Sequence, residues 1–249
     1  MKNDRNKPDP GARRSFLKGA GATLGLAGAT GLPAPGLAQT QPAAVGSSAT
    51  SGFTAAPGYQ SLGLEESAVT EALVEHMWPA DQLGVSGVEL GIATFIDRQL
   101  AGAFGRGDRL YAQGPFRKGK PQHGYQLPLM PEAWYKAGIV ALNVYCGRAH
   151  GKTFDRLAAS DREAALLAVS SGKANTPEFD LAAWFNDLYY PLFTQGAFAD
   201  PIYGGNRGKA AWQMIGYPGL PAVYNRDIVT FRGKRNPKSD APKSIQDLS

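Results

Sequence analysis

The chain has one cysteine, Cys146, in 249 residues. That excludes an intramolecular disulfide framework, a Cys-rich zinc or iron–sulfur site, and covalent c-type haem attachment, which needs a cysteine pair followed by histidine. Histidine is almost as scarce, and His76, His123 and His150 leave little material for a metal centre. Charge is modest at 19% of residues, with 26 Lys plus Arg against 21 Asp plus Glu. Against these scarcities stand 43% hydrophobic and 10% aromatic residues. A chain with that much apolar area to bury is not intrinsically disordered, and a real core is expected. The length suits one domain of good size or two small ones.

Long hydrophobic runs are also missing. Gly19 to Ala38 is twenty residues without a charge, about the length of a membrane span. Only Leu24, Leu26, Leu32 and Leu37 are strongly apolar there, each contributing at best about −0.6 kcal/mol at a helix centre. Six glycines with Pro33 and Pro35 weaken any helix, so a permanent span is not expected. The stretch closes on Gly36-Leu37-Ala38, a small-x-small cleavage pattern before Gln39. Upstream, Ala12-Arg13-Arg14-Ser15-Phe16-Leu17-Lys18 resembles the twin-arginine export signal, whose core is two arginines, a polar residue and Phe-Leu-Lys. An ordinary basic helix start is the competing reading. The resemblance implies that residues 1–38 are a signal peptide, that Arg13, Arg14, Phe16, Leu17 and Lys18 address the twin-arginine translocase, and that the folded cargo reaches the periplasm. Residues 39–60 are rich in Ala, Ser, Thr, Gly and Pro and read as a flexible linker.

The body reads as helices. Ser61 to Trp78 places Val69, Ala72, Leu73, His76 and Met77 on one face, and Pro79 stops it; His76 is then a hydrogen-bonded core histidine rather than a ligand. Ser86 and Glu89 form a capping box for a second helix through Ile92, Phe95 and Ile96 to Leu100, with Asp97 and Arg98 turned outward. Pro131 suits a helix first turn, and Glu132 to Arg148 aligns Ile139, Leu142 and Cys146. Cys146 reads as a buried, inert hydrophobe, with a nucleophilic role assisted by His150 as the alternative. Ser160 and Glu163 form another capping box, before Ala164, Leu167 and Val169, and Gly172 ends that helix.

Thr176-Pro177 starts the most apolar helix, carrying Phe179, Leu181, Trp184, Phe185, Leu188, Tyr189, Tyr190, Leu192 and Phe193. A belt this wide exceeds what a surface helix needs, so it is central to the core or covers a partner; Pro191 should kink or end it. Between Gly102 and Met130, Arg106, Arg109, Arg117, Lys118 and Lys120 interleave with Phe104, Tyr111, Phe116 and Tyr125. That pattern fits a solvated loop, or an acidic or nucleic-acid partner, and export argues against nucleic acid. No strand-like alternation of any length occurs. The fold class is mainly α: a compact irregular helical domain over 61–224 with long Gly/Pro-rich loops, followed by a basic tail over 225–249.

Residues 195–219 read QGAFADPIYGGNRGKAAWQMIGYPG. A Walker A loop needs Gly five residues before its Gly-Lys pair and Ser or Thr after it; with Gly208-Lys209 those places hold Tyr203 and Ala210. The phosphate-loop reading fails, and no GxGxxG occurs after residue 38. What remains is a turn-rich loop entering a short helix around Trp212. It presents Tyr203, Trp212 and Tyr217, residue types favoured at interfaces, or it packs only on itself.

Gly196-Ala197-Phe198-Ala199-Asp200-Pro201, Tyr203-Gly204-Gly205-Asn206-Arg207, Trp212 and Ile215-Gly216-Tyr217-Pro218-Gly219 together resemble the signature of the gluconate 2-dehydrogenase subunit 3 family. The similarity covers roughly Ser61 to Gly219. It implies the small, or gamma, subunit of a three-part complex at the periplasmic face of the inner membrane. There a large FAD subunit oxidises a sugar, sugar acid or polyol and a multihaem cytochrome c relays electrons to quinone. The small subunit has no assigned catalytic residue and binds no cofactor itself; FAD and haem c belong to its partners. It stabilises the large subunit and carries it through twin-arginine export. The expected partner surface comprises Phe198, Asp200, Pro201, Tyr203, Gly204, Gly205, Asn206, Trp212, Gly216, Tyr217, Pro218 and Gly219. An autonomous periplasmic enzyme, or an export chaperone that leaves the complex, are the alternatives.

The basic balance is mostly in the termini. Residues 1–38 hold six basic and two acidic groups and residues 225–249 six and three, which leaves 39–224 at 14 against 16. Bulk charge therefore gives no reason to expect nucleic-acid binding.

Overall fold

The structure, a computed structural model, describes residues 58–111, 113–117, 119, 120, 123, 128–221 and 223–248. The chain divides into units over 1–50 and 51–249, and every described residue lies in the second. The described residues are helical and contain no strand; one isolated bridge joins Gly219 to Lys243.

Helix α1 spans Leu64–Met77 and buries Val69, Thr70, Leu73 and Val74. Its N-terminus is closed by Glu66, which accepts from the Gly63 N–H at 2.6 Å. His76 is hydrogen-bonded as expected, but to Glu163 at the protein surface, 2.9 Å away. The Ser86–Glu89 box also forms, with both hydrogen bonds at 3.3 Å. It closes a turn rather than a helix, because regular structure starts only with α2, Ile92–Ala101, after Gly91.

Asp97 does not turn outward. It is 1% exposed and accepts backbone N–H groups of Gln60, Ser61 and Leu62 at 2.8, 2.8 and 2.9 Å. A buried carboxylate is tolerable only with such partners. The chain entering the body is thus fixed to α2, and Tyr59 adds a 2.5 Å hydrogen bond to Glu71. Ser61 also donates to Glu132 at 2.7 Å. Burial alone would raise the Glu132 carboxyl, but the hydrogen bonds from Lys136 and Ser61 outweigh it and hold the group below its usual value.

Helix α3, Pro131–His150, has proline in its first turn and buries Trp134, Tyr135, Gly138, Ile139, Leu142, Asn143 and Cys146. That 3–4 spacing is a stripe facing the core; fully burying an Ile139 or a Leu142 contributes about 1.5–3 kcal/mol. Helix α4, Ala159–Ser170, starts earlier than the capping-box spacing suggests, with Ala158 at its N-cap and no side-chain cap. Ser160 is therefore inside the helix and Glu163 is free to pair with His76. The buried face is accordingly Ala165, Leu166 and Val169, while Ala164 and Leu167 are exposed.

The apolar helix begins at Leu181, not Thr176, because Asp180 supplies the cap by accepting from the Ala183 N–H at 2.9 Å. Thr176 instead accepts from Phe179 in the preceding turn. A short α5, Leu181–Ala183, runs into a π-helical stretch, Trp184–Tyr189, and then into α6, Tyr190–Phe198. Pro191 has no N–H for the ladder, and the helix accommodates it at the start of α6, directly after the widened turn, instead of stopping. This segment is the centre of the core. Trp184 and Tyr189 are fully buried and their rings stack at 5.7 Å. Gly138 makes that possible, since a Cβ there would lie 2.1 Å from the Trp184 Nε1. From Trp184 a run of aromatic neighbours continues through Tyr189 and Phe193 to Trp78 and Phe198. It ends at the first residues of the Gly-rich segment.

Candidate partner-binding site

The segment after α6 is built from short turns that use their polar groups on one another. Asp200 accepts from the Ile202 N–H at 3.1 Å and caps the 3-10 turn Pro201–Tyr203. Gly205 passes so close to Gly196 that a Cβ would fall 2.1 Å from the Gly196 carbonyl oxygen, so no larger residue fits the crossing. Asn206 is fully buried with φ 45°; its amide donates to the Ala199 carbonyl and accepts from the Ala211 N–H, both at 3.1 Å. Arg207 then ties the loop to the turn before α2 through its N–H to the Leu90 carbonyl at 2.9 Å, and to α2 through its guanidinium to Thr94 at 2.9 Å.

Helix α7, Ala210–Ile215, carries Trp212, which is 5% exposed. Its indole N–H reaches the Phe198 carbonyl at 2.8 Å, and its ring meets Tyr217 edge-on at 5.0 Å. Trp212 therefore holds the loop together and does not present its side chain to a partner. Among the other expected surface residues, Gly204, Gly205, Asn206 and Gly219 are buried, and Phe198, Asp200, Pro201, Tyr217 and Pro218 are half-buried. Tyr203 and Gly216 are exposed. The export-signal residues Arg13, Arg14, Phe16, Leu17 and Lys18 lie outside the described residues.

The tail is folded onto this segment. Helix α8, Asn225–Thr230, rests against it through Tyr224, whose ring meets Tyr217 at 6.0 Å and whose hydroxyl donates to the Gly219 carbonyl. Lys243 pairs with the chain at Gly219, the Leu220 N–H donating to its carbonyl at 2.8 Å. Asp200 accepts from the Ile245 N–H at 2.9 Å. Lys209 donates to Asp247 at 2.6 Å and to the Pro242 carbonyl at 3.0 Å. Hydrogen bonds from Lys209 and from Ser244 hold the Asp247 carboxyl down at about 2. One side of the Gly-rich segment is thus covered by the chain's own C-terminal residues.

A further face of the segment, away from these tail contacts, is open. An apolar groove of about 500 Å³ runs along α2 and α6, lined by Phe95, Gln99, Thr194, Phe198, Ala199 and Tyr203. Tyr203 is 51% exposed at its edge, with Ile202 at 44% beside it. Sequence reading placed Tyr203 and Phe198 here but missed Phe95, Gln99 and Thr194, which reach the groove only because α2 packs alongside α6.

The Cys146 alternative has no geometric support. The thiol is fully buried, and burial alone pushes it up to about 11, whereas a nucleophilic cysteine needs a neighbour that lowers it. His150 faces Asp161 at 3.9 Å. Among the described residues no three His, Cys, Asp or Glu side chains are grouped to hold a metal, and no helix is long and apolar enough to cross a membrane.

No curated protein and no solved structure matches the chain. The family model of gluconate 2-dehydrogenase subunit 3 matches residues 64–219, from the first residue of α1 to the glycine paired with Lys243. The chain belongs to the gluconate 2-dehydrogenase subunit 3 family.

Proposed function

We propose that the chain is the non-catalytic small subunit of a periplasmic, membrane-associated, FAD-dependent dehydrogenase complex that oxidises a sugar, sugar acid or polyol and passes electrons through cytochrome c to quinone. Family membership implies association with other subunits of a gluconate 2-dehydrogenase-like complex. The observation that carries the reading is the open apolar groove at Tyr203, a face of the family's Gly-rich segment that the tail does not line. Interface anchors are typically aromatic, and each is worth about 2 kcal/mol or more when truncated. Tyr203, exposed at the edge, and the half-buried Phe198 offer two in one concavity, with the buried Phe95 beneath them. The large flavin subunit is the occupant we assign to it, with the cytochrome subunit completing the complex.

The twin-arginine-like residues give the subunit its second role, as the carrier of a folded flavoprotein into the periplasm. Replacing Arg13→Lys together with Arg14→Lys should strand the large subunit in the cytoplasm. Its normal appearance in the periplasm with that variant would overturn the carrier role and leave the groove assignment standing.

A further inference from the structure

The loop between α2 and α3 concentrates positive charge that the rest of the body lacks. Residues 102–130 hold five lysines and arginines and one acid, whereas the remainder of 39–224 holds nine basic and fifteen acidic residues. The one acid, Asp108, is engaged by Arg106 at 3.0 Å, so the loop contains no other carboxylate for Arg109, Arg117 and Lys120. These three are exposed. Set among them are rings and aliphatic groups that remain in solvent: Tyr111 is 84% exposed, Phe104 45%, Phe116 42% and Leu110 37%. The apolar surface continues inward, because Phe104 and Leu110 also line a cavity of about 410 Å³ that reaches Trp134 and Leu188, with Arg109 and Asp187 on its wall.

A single exposed apolar residue needs no explanation, but several together mark a contact surface. The interleaving identifies which kind. The centre of a protein–protein interface is depleted of charge, yet here cations stand directly beside apolar groups, as in Arg109-Leu110-Tyr111 and Phe116-Arg117. Amphipathic rings beside Lys and Arg are instead the composition of a bilayer interface, where rings sit at headgroup depth and cations meet anionic lipid. We propose that this loop docks the protein on an anionic bilayer surface, Arg109, Arg117 and Lys120 meeting the headgroups and Tyr111 and Phe116 entering the interface. Within residues 39–224 the acidic remainder is repelled by the same surface, which disfavours contact through it. Nothing in this inference rests on the dehydrogenase reading, because vesicle binding requires this chain alone.

The test is co-sedimentation of the full chain with vesicles of phosphatidylcholine, with and without phosphatidylglycerol. Because the N-terminal residues are themselves basic, the decisive comparison is internal. Arg109→Glu/Arg117→Glu/Lys120→Glu is compared with a control that reverses three exposed cations elsewhere, Arg148→Glu/Arg156→Glu/Lys173→Glu. At about fivefold per cation, the loop variant should bind phosphatidylglycerol vesicles more than about tenfold more weakly than wild type, and the control less than about twofold. Tyr111→Ser/Phe116→Ser should weaken binding further at high salt, where the charges are screened. Equal losses in loop and control variants, or binding indifferent to phosphatidylglycerol, would overturn the proposal. So would a loop that ignores vesicles but binds an acidic protein.

Discussion

Trp212 reaches back fourteen residues to donate its indole N–H to the Phe198 carbonyl at 2.8 Å. The bond joins the end of α6 to α7 and leaves the indole 5% exposed. Nine residues away, Tyr203 has half its surface in solvent. The two aromatics of one motif therefore have separable roles.

Trp212→Ala should remove about 3–5 kcal/mol of stability through the cavity it leaves, together with an unpaired carbonyl at Phe198. Tyr203→Ala should stay within about 1 kcal/mol, as exposed substitutions do. Urea unfolding of the two variants checks this, and equal losses would show that Tyr203 is part of the packed loop.

Gly138 and Gly147 lie on the same helix with opposite surroundings. A Cβ at Gly138 meets the Trp184 indole at 2.1 Å, while at Gly147 nothing lies within 4 Å. Gly138→Ala should destabilise the protein by about 1–3 kcal/mol or more, the cost of overpacking a filled core. Gly147→Ala should stabilise it by about 0.5–1 kcal/mol through helix propensity. Thermal unfolding of the pair gives shifts of opposite sign if α3 packs against the π-helical stretch as described.

The attachment of the tail should depend on acid. Asp247 is held at about 2 against an ordinary 3.8, chiefly by its hydrogen bond from Lys209. A lowered carboxylate contributes its attachment fully above the unfolded value and loses it as pH falls through the folded one. Amide exchange in residues 243–248 should therefore be slow at pH 5 relative to the intrinsic rate, and protection should decline between about pH 4 and pH 2. Asp247→Asn should abolish that step and leave protection low throughout.

The sequence made the helices with local stop and start signals legible. Pro131 in the first turn marks α3, and Pro79 follows α1 closely. Asp97 was misread because its partners, Gln60 to Leu62, lie 35 to 37 residues away, beyond any local pattern. Asp180 rather than Thr176 caps the apolar helix because Thr176 spends its hydroxyl on the turn before it. The motif segment was legible as a motif, but not its division into a buried, tail-covered side and an open side. That division depends on Lys209 meeting Asp247, and Gly219 meeting Lys243, across the fold.

The central claim is that the groove edged by Tyr203 receives the large flavin subunit. The direct measurement is affinity purification of this chain co-expressed with that subunit, with flavin absorbance and protein ratio recorded for wild type and Tyr203→Asp. Wild type should retain the flavoprotein in fixed ratio, and Tyr203→Asp should lose it by about tenfold or more with an unchanged unfolding temperature. A wild-type chain that retains no flavoprotein, or a Tyr203→Asp chain that retains as much as wild type, would contradict the account.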